Sequence, residues 1–146
     1  MLNEENYVEV INSFSLEDWT PLFDLIPKIE ATTDFGQWEE IKGNGTLESP
    51  YSFPHVIYSE IVDEFCRITN RMPIMIIFPW MQWDELDNYV KNNEFDFDSI
   101  DIPTKCKVIS ATIRAERFCE GAILSKFKSG QILRILKSIK FQIESK

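Results

Sequence analysis

Ile102, Cys106, Ile109 and Ile113 step by four, three and four residues, and no other feature constrains the fold of this 146-residue chain as tightly. That spacing draws one apolar stripe and predicts a long helix, with Asp101 as its cap and Pro103 in its first turn. Val108, Ala111, Ala115, Cys119 and Ala122 form a second stripe of mostly small residues, which lets a neighbouring helix approach closely. Beyond Gly130, Ile132, Ile135, Leu136, Ile139 and Ile143 make another apolar face and predict a final helix.

The first stripe, continued at the same spacing, runs into charge. Thr112 to Gly121 packs Arg114, Glu116, Arg117, Cys119 and Glu120 into ten residues. Helical phase would put Arg117 and Glu120 on the face that Ile109 and Ile113 bury. Arg114 and Arg117, three apart, can sit on adjacent turns and grip a phosphate or carboxylate. Glu116 and Glu120, four apart, can instead neutralise them. The expectation is an internal ion-pair network that fixes the basic C-terminal helices; the alternative is the wall of an anion site. Gly121 costs about 1 kcal/mol relative to alanine inside a helix, so it marks a break or a close contact.

Upstream, Asn3 is a candidate cap for a first helix carrying Tyr7, Val8, Val10, Ile11 and Phe14. Thr20 and Pro21 are read as cap and first position of a second, which Pro27 should kink or end. Residues 34–53 carry Gly36, Gly43, Gly45 and Pro50 and read as a loop. Trp38 and Tyr51 would pin it to the core, as an ordered wrap or a lid. Pro54 is expected to start a third helix through Ile57, Ile61, Phe65 and Ile68, with His55 as a polar cap. Asp84 is expected to cap a short helix through Val90. The expected fold is mainly α: a single compact domain over residues 1–146 of about five to six helices, with room for a small β element near 74–78 and 94–98.

Charge is divided along the chain. Residues 1–101 carry 21 acidic and 5 basic side chains, a net of −16; residues 102–146 carry 3 and 10, a net of +7. An acidic body packed around basic helices accounts for much of that polarity. The total of −9 disfavours nucleic acid as a partner and favours a basic protein. No apolar run approaches the roughly 18 residues of a membrane span, and Met1-Leu-Asn-Glu-Glu does not resemble a signal peptide, so a cytoplasmic protein is expected. Cys66, Cys106 and Cys119 show no Cys-x-x-Cys spacing and are expected as free, buried thiols. With His55 the one imidazole, no metal site and no cofactor is expected.

Trp80-Met-Gln-Trp83, between Phe78 and Asp84-Glu85, can stack a base, a sugar or a cation, or can simply be core. Cys119 beside Arg117 would need His55 as a base, and nothing in the sequence joins them. Nucleotide-loop, dinucleotide, serine-hydrolase and zinc-protease motifs are absent, and no catalytic residue is assigned.

Arg114 to Gly121 (Arg-Ala-Glu-Arg-Phe-Cys-Glu-Gly), then Phe127, Gly130 and Ile132 to Leu136, resembles a helix shared by an uncharacterised bacterial domain-of-unknown-function family. Trp19, Leu25 to Glu30, Tyr58 to Glu60, Trp80 and Trp83 add to the likeness. The resemblance implies a complete one-domain member and brings no activity, cofactor or catalytic residue. The first functional expectation is a small intracellular binding protein, with phage defence or counter-defence as an analogy. The second is a pocket for an anionic, nucleotide-like molecule built from Arg114, Arg117, Glu116, Glu120, Trp80, Trp83 and His55. An enzyme acting on that molecule is the third. Oligomeric state is not legible.

Overall fold

The computed structural model describes residues 2–39, 43–50 and 54–145. In chain order the elements are β1 (Leu2–Asn3), α1 (Tyr7–Asn12), α2 (Leu16–Phe23), α3 (Leu25–Glu30), β2 (Gly36–Glu39), β3 (His55–Tyr58), α4 (Glu60–Arg71), β4 (Ile76–Ile77), α5 (Leu86–Val90), α6 (Ile102–Ala115), α7 (Ala122–Lys128) and α8 (Gln131–Glu144). Short 3-10 turns at Trp80–Gln82 and Phe97–Ser99 flank α5. The mainly helical, single-domain expectation holds.

The last helix is the hub. α8 packs against α2, α3, α6 and α7 and buries Ile132, Ile135, Leu136 and Ile139, the face read from the sequence. Its partner α6 begins as expected, with the Asp101 side chain accepting from the Thr104 N–H and Pro103 in the first turn. Ile102, Cys106 and Ile109 are buried and Ile113 is half-buried. Burial is not confined to that stripe. Lys105, Val108, Ser110, Ala111 and Thr112 are buried as well, so α6 is enclosed on nearly all sides.

Several boundaries differ from the sequence reading. α2 starts at Leu16, capped by Ser15 in a reciprocal capping box with Asp18, and Pro21 sits inside it. Thr20 is no cap, because its hydroxyl bonds back to the Leu16 carbonyl. Pro27 ends the run as expected: without an N–H it cannot bond the Phe23 carbonyl, and the chain breaks at Asp24 before α3 resumes. Asn3 lies before α1, accepting from the Glu5 and Asn6 N–H groups. Neither Asp84 nor Glu85 caps α5 with its side chain.

The larger correction is at residues 34–58. The stretch read as a loop and a helix start contains an antiparallel hairpin instead, pairing Gly36 with Tyr58, Trp38 with Val56 and Glu39 with His55. Val56 is buried and Ile57 exposed, a period of two that overrides the four-residue spacing from Ile57 to Ile61. His55 is therefore a strand residue, and α4 begins only at Glu60. Tyr51 lies outside the described residues.

The segment at 74–78 does carry a strand, since Ile76–Ile77 pairs in parallel with Leu2–Asn3. At 94–98 the extended reading fails. The Asp96 side chain accepts from the Asp98 N–H and winds the chain into a 3-10 turn. Phe95 and Phe97 both pack inward, their ring centroids 5.2 Å apart.

Candidate functional site

α6 stops at Ala115, and that decides the fate of the charged stretch. The residues from Glu116 to Gly121 form a turn, so the stripe never reaches Arg117 or Glu120, and both are exposed. The expected burial of these two residues is overturned. Glu116 supplies the physical reason. Its Oε2 accepts from the Gly121 N–H at 3.1 Å; its Oε1 accepts from the Ile123 N–H at 3.0 Å and from the Tyr58 hydroxyl at 2.7 Å. Those amides lie at the start of α7 and have no helical acceptors of their own. The carboxylate that could have paired with arginine is the plug of the next helix.

The turn also holds the hairpin. The Tyr58 hydroxyl accepts from the Leu124 N–H at 3.2 Å, and Glu120 Oε1 accepts from the Val56 N–H at 2.9 Å. Burial and the Glu116 carboxylate push the Tyr58 phenol well above its ordinary value, so it stays a proton donor. Gly121 adopts φ +93°, and a Cβ there would stand 2.6 Å from Cζ2 of Trp38. It is both the break and the close contact that its position foreshadowed. Trp38, half exposed, pins the hairpin to this turn.

The expected pocket residues are thus spread over different tasks. Arg114 is half-buried in the last turn of α6, and Arg117 is exposed in the turn that follows. His55 Nε2 lies 2.6 Å from Glu39 Oε2, across the hairpin. Trp83 packs edge-on against Phe78 and helps to enclose a cation of the protein itself. Lys107 Nζ sits 4.7 Å from the Phe78 ring centre, 5.2 Å from Tyr7 and 5.3 Å from Trp83, with Glu4 Oε2 at 3.7 Å. The cation at Trp83 is thus Lys107 of the chain itself. Trp80 is half-buried, its ring centroid 6.1 Å from Phe118.

The cysteines also divide. Cys106 is buried, Cys66 is half-buried with its thiol pushed up to about 11 by burial, and Cys119 is exposed, against expectation. Among the described residues, no group of three histidine, cysteine, aspartate or glutamate side chains could hold a metal ion, and no helix is long and apolar enough to cross a membrane.

Sequence reasoning missed Tyr58, Lys107 and Phe118. Phe118 had a usable signal, a large apolar residue between charges. Nothing local marks Tyr58 or Lys107, whose partners lie far away in the chain.

A family described as Family of unknown function (DUF6508) matches residues 14–145. The chain belongs to this family. The match takes in the Arg114–Gly121 stretch, the hairpin and α8. The human Ephrin type-A receptor 1 is 32% identical over 69 residues, 47% of this chain and 7% of that protein. The chain therefore spans a small fraction of that relative's length. No solved structure matches.

Proposed function

We propose that this chain is an intracellular, non-catalytic interaction module that presents an apolar anchor on an acidic surface to a basic protein. The observation that carries this reading is the cluster around Phe118. Phe118 is 71% exposed with its ring beside half-buried Trp80, and Met81, next in the chain to Trp80, is 65% exposed. Large apolar side chains left together on a surface mark interaction sites more often than isolated ones do. Asp84 and Glu85, both exposed, follow Trp83 directly.

The distribution of charge supports a basic partner. The cations of the C-terminal region are largely turned onto the protein: Lys126 donates to the Val90 carbonyl, Arg134 to those of Asn93 and Phe95, and Lys107 enters its aromatic cage. Among the described residues, the ion pairs from that region to acids of residues 1–101 are Lys107–Glu4 and Lys137–Glu30. Most acids of the body are left to solvent, where they can steer a cationic partner.

Photocrosslinking in the native host, from residues 81 and 118 with the exposed Phe141 as control, tests this. A common adduct from 81 and 118, absent at 141 and lost from 81 in a Phe118→Ser background, is expected. Because Phe118 is exposed, that variant should stay within about 0.5 kcal/mol of wild-type stability. Adducts that differ, or that ignore Phe118→Ser, count against the reading. A defence or counter-defence role would be one setting for such a module.

The anionic, nucleotide-like ligand is the second reading, favoured by the exposure of Arg117 beside the Phe118–Trp80 pair. It expects a higher melting temperature with nucleotides at about millimolar concentration, lost in Arg117→Gln.

A further inference from the structure

Phe14, Pro21, Ile68 and Met72 line a groove of about 520 Å³ between α2 and the last turn of α4. That volume lies in the range that small organic ligands fill. Its rim charges are sorted by sign: Glu17 and Asp18 stand in the first turn of α2, Arg71 in the last turn of α4. Asp18 is already engaged in the capping box. Glu17 and Arg71 are exposed, and among the described residues neither has an ion-pair partner. Lys28, Lys91, Lys107, Lys137 and Lys140 all find carboxylates in this acidic chain. Arg71, like Arg67, Arg117 and Lys128, has none among the described residues, although two acids line its groove.

The sorting selects a class of ligand. A phosphate dianion would face Glu17 and Asp18, and a simple amine would face Arg71. A molecule carrying both charges answers both signs, and an apolar side chain would cover the floor. We propose that this groove binds a small zwitterion with an apolar side chain, an apolar amino acid or dipeptide. Its carboxylate lies on Arg71, its ammonium at Glu17 and its side chain against Phe14, Ile68 and Met72.

Trp19 provides the readout. It is fully buried behind Phe14, the two rings edge to face at 5.6 Å, and its indole N–H has no acceptor among the described residues. The test is a titration of the ¹⁵N-labelled full chain with phenylalanine and with leucyl-phenylalanine, following the Trp19 indole resonance. Both probes should shift it saturably. N-acetylphenylalanine, lacking the ammonium, and phenylalaninamide, lacking the carboxylate, should each bind about tenfold more weakly. Arg71→Gln should weaken phenylalanine about tenfold and leave phenylalaninamide unchanged, while Glu17→Gln should spare the N-acetyl compound. Unaltered melting temperatures would show both variants folded. No shift with either probe at about 10 mM, or binding indifferent to Arg71→Gln, would overturn the proposal.

Discussion

Glu116 and Lys105 are charged residues at opposite ends of the α6 region, and the protein treats them in opposite ways. Glu116 is half-buried and accepts three hydrogen bonds, from Tyr58, Gly121 and Ile123. Lys105 is fully buried, and its Nζ has no hydrogen-bond partner among the described residues. Burial pushes the ammonium down to about 8, opposed by the carboxylates of Asp98, Asp101 and Asp96. A carboxylate can be satisfied by backbone amides, which every helix start supplies. An ammonium needs acceptors, and none among the described residues reaches it. One charge therefore holds three elements together while the other is a standing cost.

Removing Glu116 should break the contrast most severely. Glu116→Ala leaves two amides and a tyrosine hydroxyl without their acceptor and is expected to cost about 3 kcal/mol. The midpoint of chemical denaturation measures it, and a loss below about 1 kcal/mol would mean that water replaces the carboxylate with little penalty.

At Lys105 the sign reverses. Lys105→Met should stabilise the protein by about 2 kcal/mol at pH 7, since it removes a buried charge without breaking a bond. Below about pH 8 the ammonium is charged in folded and unfolded chains alike, and folding bears the whole burial cost. Between the folded value of about 8 and the ordinary 10.5, the folded chain binds fewer protons, so this group's contribution to stability rises with pH. The advantage of the methionine variant should therefore shrink across that window. Comparing the two proteins cancels Tyr7, Tyr58 and Tyr89, whose raised phenols act in the opposite sense at high pH. An advantage that stays constant from pH 8 to 10 would place Lys105 with Glu116 as a satisfied charge.

Tyr58→Phe should have the smallest effect, about 1 kcal/mol, because Glu116 keeps its two amides. Combined with Glu116→Ala it should cost less than the sum of the single changes. Strict additivity would mean that the hairpin and the turn are held independently.

How much of this was legible depended on where the partners lie. The faces of α6 and α8 follow from spacing alone, as does the break at Pro27, where the missing N–H acts within four residues. Ser15 and Asp18 offered a capping box that the Thr20–Pro21 pair obscured. The hairpin had no short turn to announce it, and Ile57 fell by coincidence at helical spacing from Ile61. Of the expected site, Trp80 meets the charged stretch through Phe118. His55 stands beside Val56, whose N–H donates to Glu120, and pairs with Glu39 across the hairpin, while Trp83 packs on Phe78 and Lys107.

By itself the sequence determined the mainly helical character, the apolar faces of α6 and α8, and the acidic balance, because periodicity and composition are local properties. Only the tertiary structure decided where α6 ends and what its charges do. A helix that could have run on to Glu120 stops at Ala115, where Glu116 meets the Tyr58 hydroxyl and the free amides of α7. Those donors come from both sides of the chain, and their meeting is set by packing.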